Sequence, residues 1–243
     1  MRHYLGFSIL SRETHLYAGL EQVTVGRSKI PIILKFLDHL LDLGFQLNYV
    51  LMEQEFYRAE LLGEIKGMGG NVLIPAKAYK KVRTIIENYL NGEGGWVRRY
   101  TFSSAIETKC RFFQHVNLII KAKWGFTFQG VKRDYMSGRI PLKVARIRIY
   151  TIMTTEKPRS KIHSWASRIS QFYKRRWLIE TGFSDLNRIN RRWKSNHDNV
   201  RNLDRLGRIF VYNSWKINRE LIKTSAEKEG EIKEWTLLQN QDY

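Results

Sequence analysis

The stretch Tyr173-Lys-Arg-Arg176-Trp-Leu-Ile-Glu180-Thr-Gly-Phe-Ser-Asp-Leu-Asn187 constrains this chain more than any other. At about 100° per residue, Tyr173, Arg176, Glu180 and Asn187 fall within roughly 60° of one another on a helix. Phe172, Ile179, Phe183 and Leu186 form the apolar stripe beside them. A helix over 172–193 would therefore bury the stripe and hold a carboxylate at the edge of the core, with a phenol and a guanidinium on the same face. An exposed amphipathic helix with an ordinary Arg176–Glu180 pair one turn apart has the same pattern. The rest of the chain decides between these readings.

Charge narrows the partner. Lys and Arg number 42 against 23 Asp and Glu, a net charge of +19, and the isoelectric point is near 10.1; such a balance suits a polyanion. The excess gathers between Lys157 and Arg219, where Lys174-Arg175-Arg176, Arg188, Arg191-Arg192, Lys194, Arg201, Arg205 and Arg208 are interleaved with Trp165, Tyr173, Trp177 and Trp193. Nucleic acid is the expected partner, bound in a way that weakens steeply with salt. A membrane surface attracts the same charge, but no segment approaches about 18 apolar residues and the amino terminus has no signal-peptide pattern. A cytoplasmic protein is expected. The single cysteine, Cys110, excludes an intramolecular disulfide, and the six histidines show no zinc-ligand spacing.

A chain of 243 residues with 43% hydrophobic side chains suits one large domain, or one domain with an insertion. Residues 4–20 alternate around the polar turn Ser11-Arg12-Glu13-Thr14 and predict a hairpin. Ile32, Ile33, Phe36, Leu37, Leu40 and Leu41 have a helical period that closes at Gly44. Phe45 to Met52 is a near-continuous apolar run, which predicts a strand covered on both faces. Helix over 57–66, strand over 71–75 and helix over 79–90 complete a ββαβαβα string. Asn91-Gly-Glu-Gly-Gly95 breaks the chain. Short runs at 98–103, 112–121, 125–131 and 144–153 then predict strands, making 92–156 a β-rich insertion. Helices are expected at 161–171, 172–193 and 199–223, the last packing through Leu203, Leu206, Ile209, Phe210, Asn213, Trp215 and Ile217. The segments are thus 1–91, 92–156, 157–225 and a polar tail, 226–243.

The spacing Tyr173-x2-Arg176-x3-Glu180-x6-Asn187 resembles the Y-R-E-K signature of insertion-sequence DDE transposases, departing only at Asn187, where the family has Lys. The resemblance implies an α/β, RNase H-like mixed sheet flanked by helices, a β-strand insertion before the third acid and a helical carboxyl-terminal region. It implies that Glu180 binds metal and that Tyr173, Arg176 and Asn187 hold the phosphates of the transposon end, with Arg188 and Arg191 able to replace the charge missing at Asn187. Leu51-Met52-Glu53-Gln54-Glu55-Phe56-Tyr57 is similar to the family stretch that carries the second acid, which assigns Glu53 to that Asp position. Glu53 and Glu180 are then the catalytic, metal-binding pair.

Two-metal phosphoryl transfer requires acids that hold Mg2+ or Mn2+ ions about 3.5–4 Å apart. Glu53 is one methylene longer than the family's Asp. The first family acid belongs on a strand upstream of the opening hairpin, and no acid precedes Glu13. An amino-terminally truncated or degenerate transposase is therefore expected, with an incomplete two-metal site and impaired or absent catalysis. Its partner is double-stranded DNA, at transposon ends and target, with a homodimer on DNA implied by the resemblance. The second reading is a non-enzymatic DNA-binding remnant. A third, an RNA-binding protein stacking bases on Trp124, Phe126 and Phe128, has no recognition signature behind it.

Overall fold

The computed structural model describes residues 3–10, 15–24, 26–105, 111–123, 125–178, 181 and 198–228. Two compact units make up the chain, Ser28–Arg176 and Met1–Arg27 with Trp177–Tyr243.

The unit Ser28–Arg176 opens with α1 (Ile30–Asp42), which has Pro31 in its first turn. It ends as the glycine predicted: Gly44 has φ +83, and the amides of Gly44 and Phe45 close back onto the carbonyls of Leu41 and Leu40 at 2.8 and 3.0 Å. The following apolar run yields only a three-residue strand, β3 (Tyr49–Leu51). It is half-buried at the sheet edge rather than covered on both faces. The reason is upstream, where Gln46 to Asn48 form a turn closed by the Asn48 amide on the Gln46 carbonyl. Then come a 3₁₀ turn (Gln54–Phe56), α2 (Ala59–Gly67), β4 (Asn71–Pro75) and α3 (Lys80–Leu90).

The next two strands, β5 (Val97–Ala105) and β6 (Arg111–Ala122), fall where alternation predicts them. The other two predicted strands are corrected. Residues 128–136 form a helix, α4 (Phe128–Met136), because the Thr127 hydroxyl caps its start by accepting the Gly130 amide at 3.1 Å. Phe128 stacks on Tyr89 at 4.3 Å and is no base-stacking platform on a strand. A short helix, α5 (Leu142–Ile147), likewise precedes β7 (Ile149–Thr154), following Pro141 and burying Ala145. The chain continues into α6 (Ile162–Lys174).

One mixed sheet of five strands results, in the order β3-β4-β7-β6-β5, with β3 and β4 parallel and the other pairs antiparallel. Strand alternation divides its faces. Leu73, Ile119 and Ile152 point to one face, where Trp165, Ala166 and Ile169 of α6 bury against them. Val72, Ile74, Leu118, Ile120 and Met153 point to the other and are also fully buried. That second face belongs to α2, whose Gly63 meets Gln114 of β6 and whose Leu61, Leu62 and Ile65 are fully buried. The product is a helix-sheet-helix sandwich.

A polar lock reinforces α6. Just past β7, Glu156 is buried, and its carboxylate accepts Tyr49 Oη at 2.6 Å and Arg168 Nη2 at 2.5 Å, with Arg159 Nε at 3.5 Å. Its backbone is satisfied too, by Thr154 Oγ1 and Asn117 Nδ2. Every part of this acid is paired, so the cluster ties β3, β7 and α6 together.

In the other unit, β1 (His3–Leu10) and β2 (His15–Val23) form the predicted antiparallel hairpin as a separate two-stranded sheet; the turn residues 11–14 lie outside the described ones. The long helix α7 (Asp198–Lys228) meets β2 through a side chain acting as a strand. Asn213 Oδ1 accepts the Tyr17 amide at 2.9 Å and Asn213 Nδ2 donates to the Tyr17 carbonyl at 2.7 Å. Ile209 packs against Tyr17 and Tyr212. The remaining stripe expected to pack, Leu203, Leu206, Phe210, Trp215 and Ile217, is exposed. Polar residues 229–243 lie outside the described ones.

Two outcomes follow from the core. Trp165→Ala empties the largest side chain from the α6 interface and should cost about 3–5 kcal/mol in denaturant unfolding, whereas exposed Trp177→Ala should cost under about 0.5 kcal/mol. Burial and the bond to Glu156 push the Tyr49 phenol from 10.0 up to about 12. Because the folded value is the higher one, its contribution to stability is complete below pH 10 and is lost as pH rises towards about 12. Urea titrations across that window should show a shallower loss in Tyr49→Phe than in the wild type.

Candidate functional site

The carboxyl ends of parallel strands in an α/β sheet open onto solvent, and side chains placed there are available for chemistry. At the end of β3, the Met52 amide bonds to the Leu73 carbonyl at 3.0 Å, extending the pairing one residue. Glu53 follows with extended backbone, φ −80 and ψ 161, and the chain then tightens into the 3₁₀ turn. The turn is pinned on three sides. Gln54 Nε2 donates to the Ala76 carbonyl beyond β4 at 3.2 Å; Glu55 pairs with Lys29 at 2.9 Å; Tyr57 is buried edge-on against Phe102, centroids 4.2 Å apart. Gln54, Glu55 and Tyr57 are thereby committed to holding the turn. Glu53 keeps 60% of its side chain exposed.

The carboxyl end of α6 reaches the same place. Its stripe of Trp165, Ile169, Phe172 and Tyr173 runs down the sheet, Phe172 stacking on Tyr49 at 4.7 Å and Tyr173 lying over Tyr150 at 6.5 Å. The predicted helix over 172–193 is corrected here: α6 runs on through Lys174, breaks at Arg175 and resumes at 176–178. The apolar stripe that holds α6 down ends at Tyr173, and three consecutive cations follow it. Tyr173 and Arg176 accordingly belong to two helical pieces, yet they stay together, with the guanidinium 5.9 Å from the Tyr173 ring centroid. Arg176 Nη1 stands 3.5 Å from Glu53 Oε1.

Glu53, Tyr173 and Arg176, chosen from sequence, are thus neighbours although more than a hundred residues separate Glu53 from the other two. Glu180, Asn187, Arg188 and Arg191 lie outside the described residues. An ion pair as open as Glu53–Arg176 contributes at most about 1 kcal/mol. It does not hold the fold together; the fold holds it.

Sequence reading missed the residues alongside. Lys121 of β6 is in register with Tyr150 of β7 and lies with its ammonium 4.7 Å from the centre of the Trp96 ring. Burial and nearby Lys174 push its pKa down. The only signal was Lys121 interrupting an apolar strand, and its neighbours are known only once the register is.

A divalent ion needs hard oxygen ligands. Among the described residues, no group of three or more His, Cys, Asp or Glu converges. Glu53 fits as one ligand, exposed and at a strand end, while Glu55 is engaged with Lys29. A two-metal site requires further acids than the described residues place there.

No curated protein matches the chain. The transposase DDE domain family matches residues 10–213, and its expected architecture, an α/β fold with a mixed sheet flanked by helices, is the one observed. With the match covering most of its 243 residues, the chain belongs to the transposase DDE domain family.

Proposed function

We propose that the chain binds the double-stranded DNA of transposon ends and cuts it with the help of Mg2+ or Mn2+, as a step towards strand transfer into target DNA. The observation that carries this reading is the meeting of Glu53, Tyr173 and Arg176 at the carboxyl end of β3. Divalent ions at such a site lower the pKa of the attacking water or 3′-hydroxyl and stabilise the leaving oxygen. Glu53 is the ligand offered by the sheet, and Glu180 is proposed as its partner from the sequence resemblance. Arg176 is paired with Glu53. A phosphate entering beside Tyr173 offers the guanidinium a better, bidentate partner, so the same cation would then hold DNA and leave the carboxylate to the metal.

The extra methylene of Glu53, relative to the family's Asp, displaces a ligand by about an ångström, enough to cost roughly 100-fold in rate. The proposed cleavage is accordingly impaired. That substitution also supports the second reading, a DNA-binding protein without catalysis. A homodimer on DNA, and action on nucleoid DNA in a prokaryotic cytoplasm, belong to the same proposal; no helix of the described residues is long and apolar enough to cross a membrane.

Nicking of a supercoiled plasmid carrying the gene's own flanking DNA tests the reading. Slow, metal-dependent nicking is expected, abolished by Glu180→Gln and raised about 10-fold or more by Glu53→Asp. If neither the wild type nor Glu53→Asp nicks while both still bind the duplex, the non-enzymatic reading stands instead.

A further inference from the structure

Half-buried cations in folded proteins are normally paired with an acid, because desolvation disfavours the charged form. Lys121 breaks this rule. Its stem lies in the sheet beside Tyr150 and its ammonium lies over Trp96, whose ring is backed by His163 at 5.1 Å. Among the described residues no carboxylate pairs with it, and the charge that acts on it is another cation, Lys174 in the exposed last turn of α6. A lysine in a helix's last turn is favoured by the helix dipole, which accounts for Lys174. It does not account for a second ammonium drawn in beside it.

The fold determines where this pair sits. Lys174 directly follows Tyr173, which lies over Tyr150, and Tyr150 is the cross-strand neighbour of Lys121. The Lys121 ammonium, the Tyr173 phenol and the Arg176 guanidinium therefore succeed one another along the end of the sheet, with Lys174 next to Tyr173 in the chain. The Trp96 face beneath Lys121 attracts it without neutralising it, so among the described residues its charge has no acid and suits an anion from solvent.

We propose that Lys121 and Lys174 together form a phosphate site of their own, next to the Tyr173–Arg176 site, which takes a backbone phosphate of the duplex. The assignment rests on the DNA-binding function proposed above. Backbone phosphates recur at short, regular intervals along a strand, so a second basic site beside the first suits a continuous duplex better than a single small anion. Because phosphate contacts position DNA without reading bases, the pair should strengthen binding to any sequence.

The test is the salt dependence of duplex binding by the full chain, using a labelled duplex of the gene's flanking DNA and a scrambled one of equal length. Lys121→Gln and Lys174→Gln should each reduce the slope of log affinity against log salt by about one, for both duplexes. Lys121→Arg should restore the slope. Thermal unfolding of Lys121→Gln should be no easier than that of the wild type, since the variant removes a half-buried charge that no acid among the described residues pairs. Binding with unchanged slopes in both Gln variants, while Arg176→Gln lowers its own, overturns the second site and leaves the proposed function standing. A wild type that binds neither duplex overturns both, and inorganic phosphate that binds in a Lys121-dependent way without any effect on duplex slopes overturns the duplex assignment.

Discussion

The contact on which the rest depends is the bed of Leu73, Ile119 and Ile152 on which Trp165, Ala166 and Ile169 lie. These six residues come from three strands and one helix, and all are almost completely buried. Burying a side chain of this size contributes roughly 1.5–3 kcal/mol, far more than any charge pair at the rim. Because the helix cannot slide on this surface without opening cavities, its carboxyl end is delivered to one place. Glu156 makes the setting stricter: with Tyr49 and Arg168 both bound to its carboxylate, β3 and α6 are held through the same buried group. A buried charge cluster of this kind adds little net stability but penalises every other register of helix on sheet.

The rim inherits its geometry from that core. Glu53 meets Arg176 with 60% of the Glu53 side chain exposed, and there their attraction is weak. Weakness suits the exchange of partners proposed for this guanidinium. A guanidinium held loosely against a carboxylate can pass to a phosphate at little cost, and the freed carboxylate can pass to a cation. The same end of the sheet is rich in cations and aromatic rings, among them Lys121, Trp96, Tyr150, Tyr173 and Lys174, and the chain's excess of basic over acidic residues is consistent with a polyanion covering it.

Much of this was legible in the sequence, for identifiable reasons. The ββαβαβα order could be read because helical and strand periods differ and Gly44 marks a helix end. The family resemblance pointed to Glu53, Tyr173 and Arg176, and the fold brings them together. Residues 125–131 and 144–147 were misread because short apolar runs do not distinguish strand from helix, and the Thr127 cap decided the first of them. The break at Arg175 and the shortness of β3 reflect where tertiary packing stops, which local pattern does not encode. The surroundings of Glu156 and Lys121 could not be read. A buried acid between arginines and a half-buried lysine over a tryptophan exist only through strand register. The α7 stripe shows the reverse failure, since helical spacing of Leu203, Leu206 and Phe210 states that they could pack, not that they do.

The claim that the end of β3 is a metal site can be measured without DNA or turnover. Titrating Mn2+ into the protein and following free manganese by electron paramagnetic resonance should reveal bound ion in the wild type, a loss of affinity of about 10-fold or more in Glu53→Gln, and no loss in Glu55→Gln, whose carboxylate is spent on Lys29. Arg176→Gln should bind manganese at least as tightly as the wild type, because the competing cation is gone. Manganese binding indifferent to Glu53→Gln, or equally sensitive to Glu55→Gln, would contradict the assignment of this carboxylate to metal.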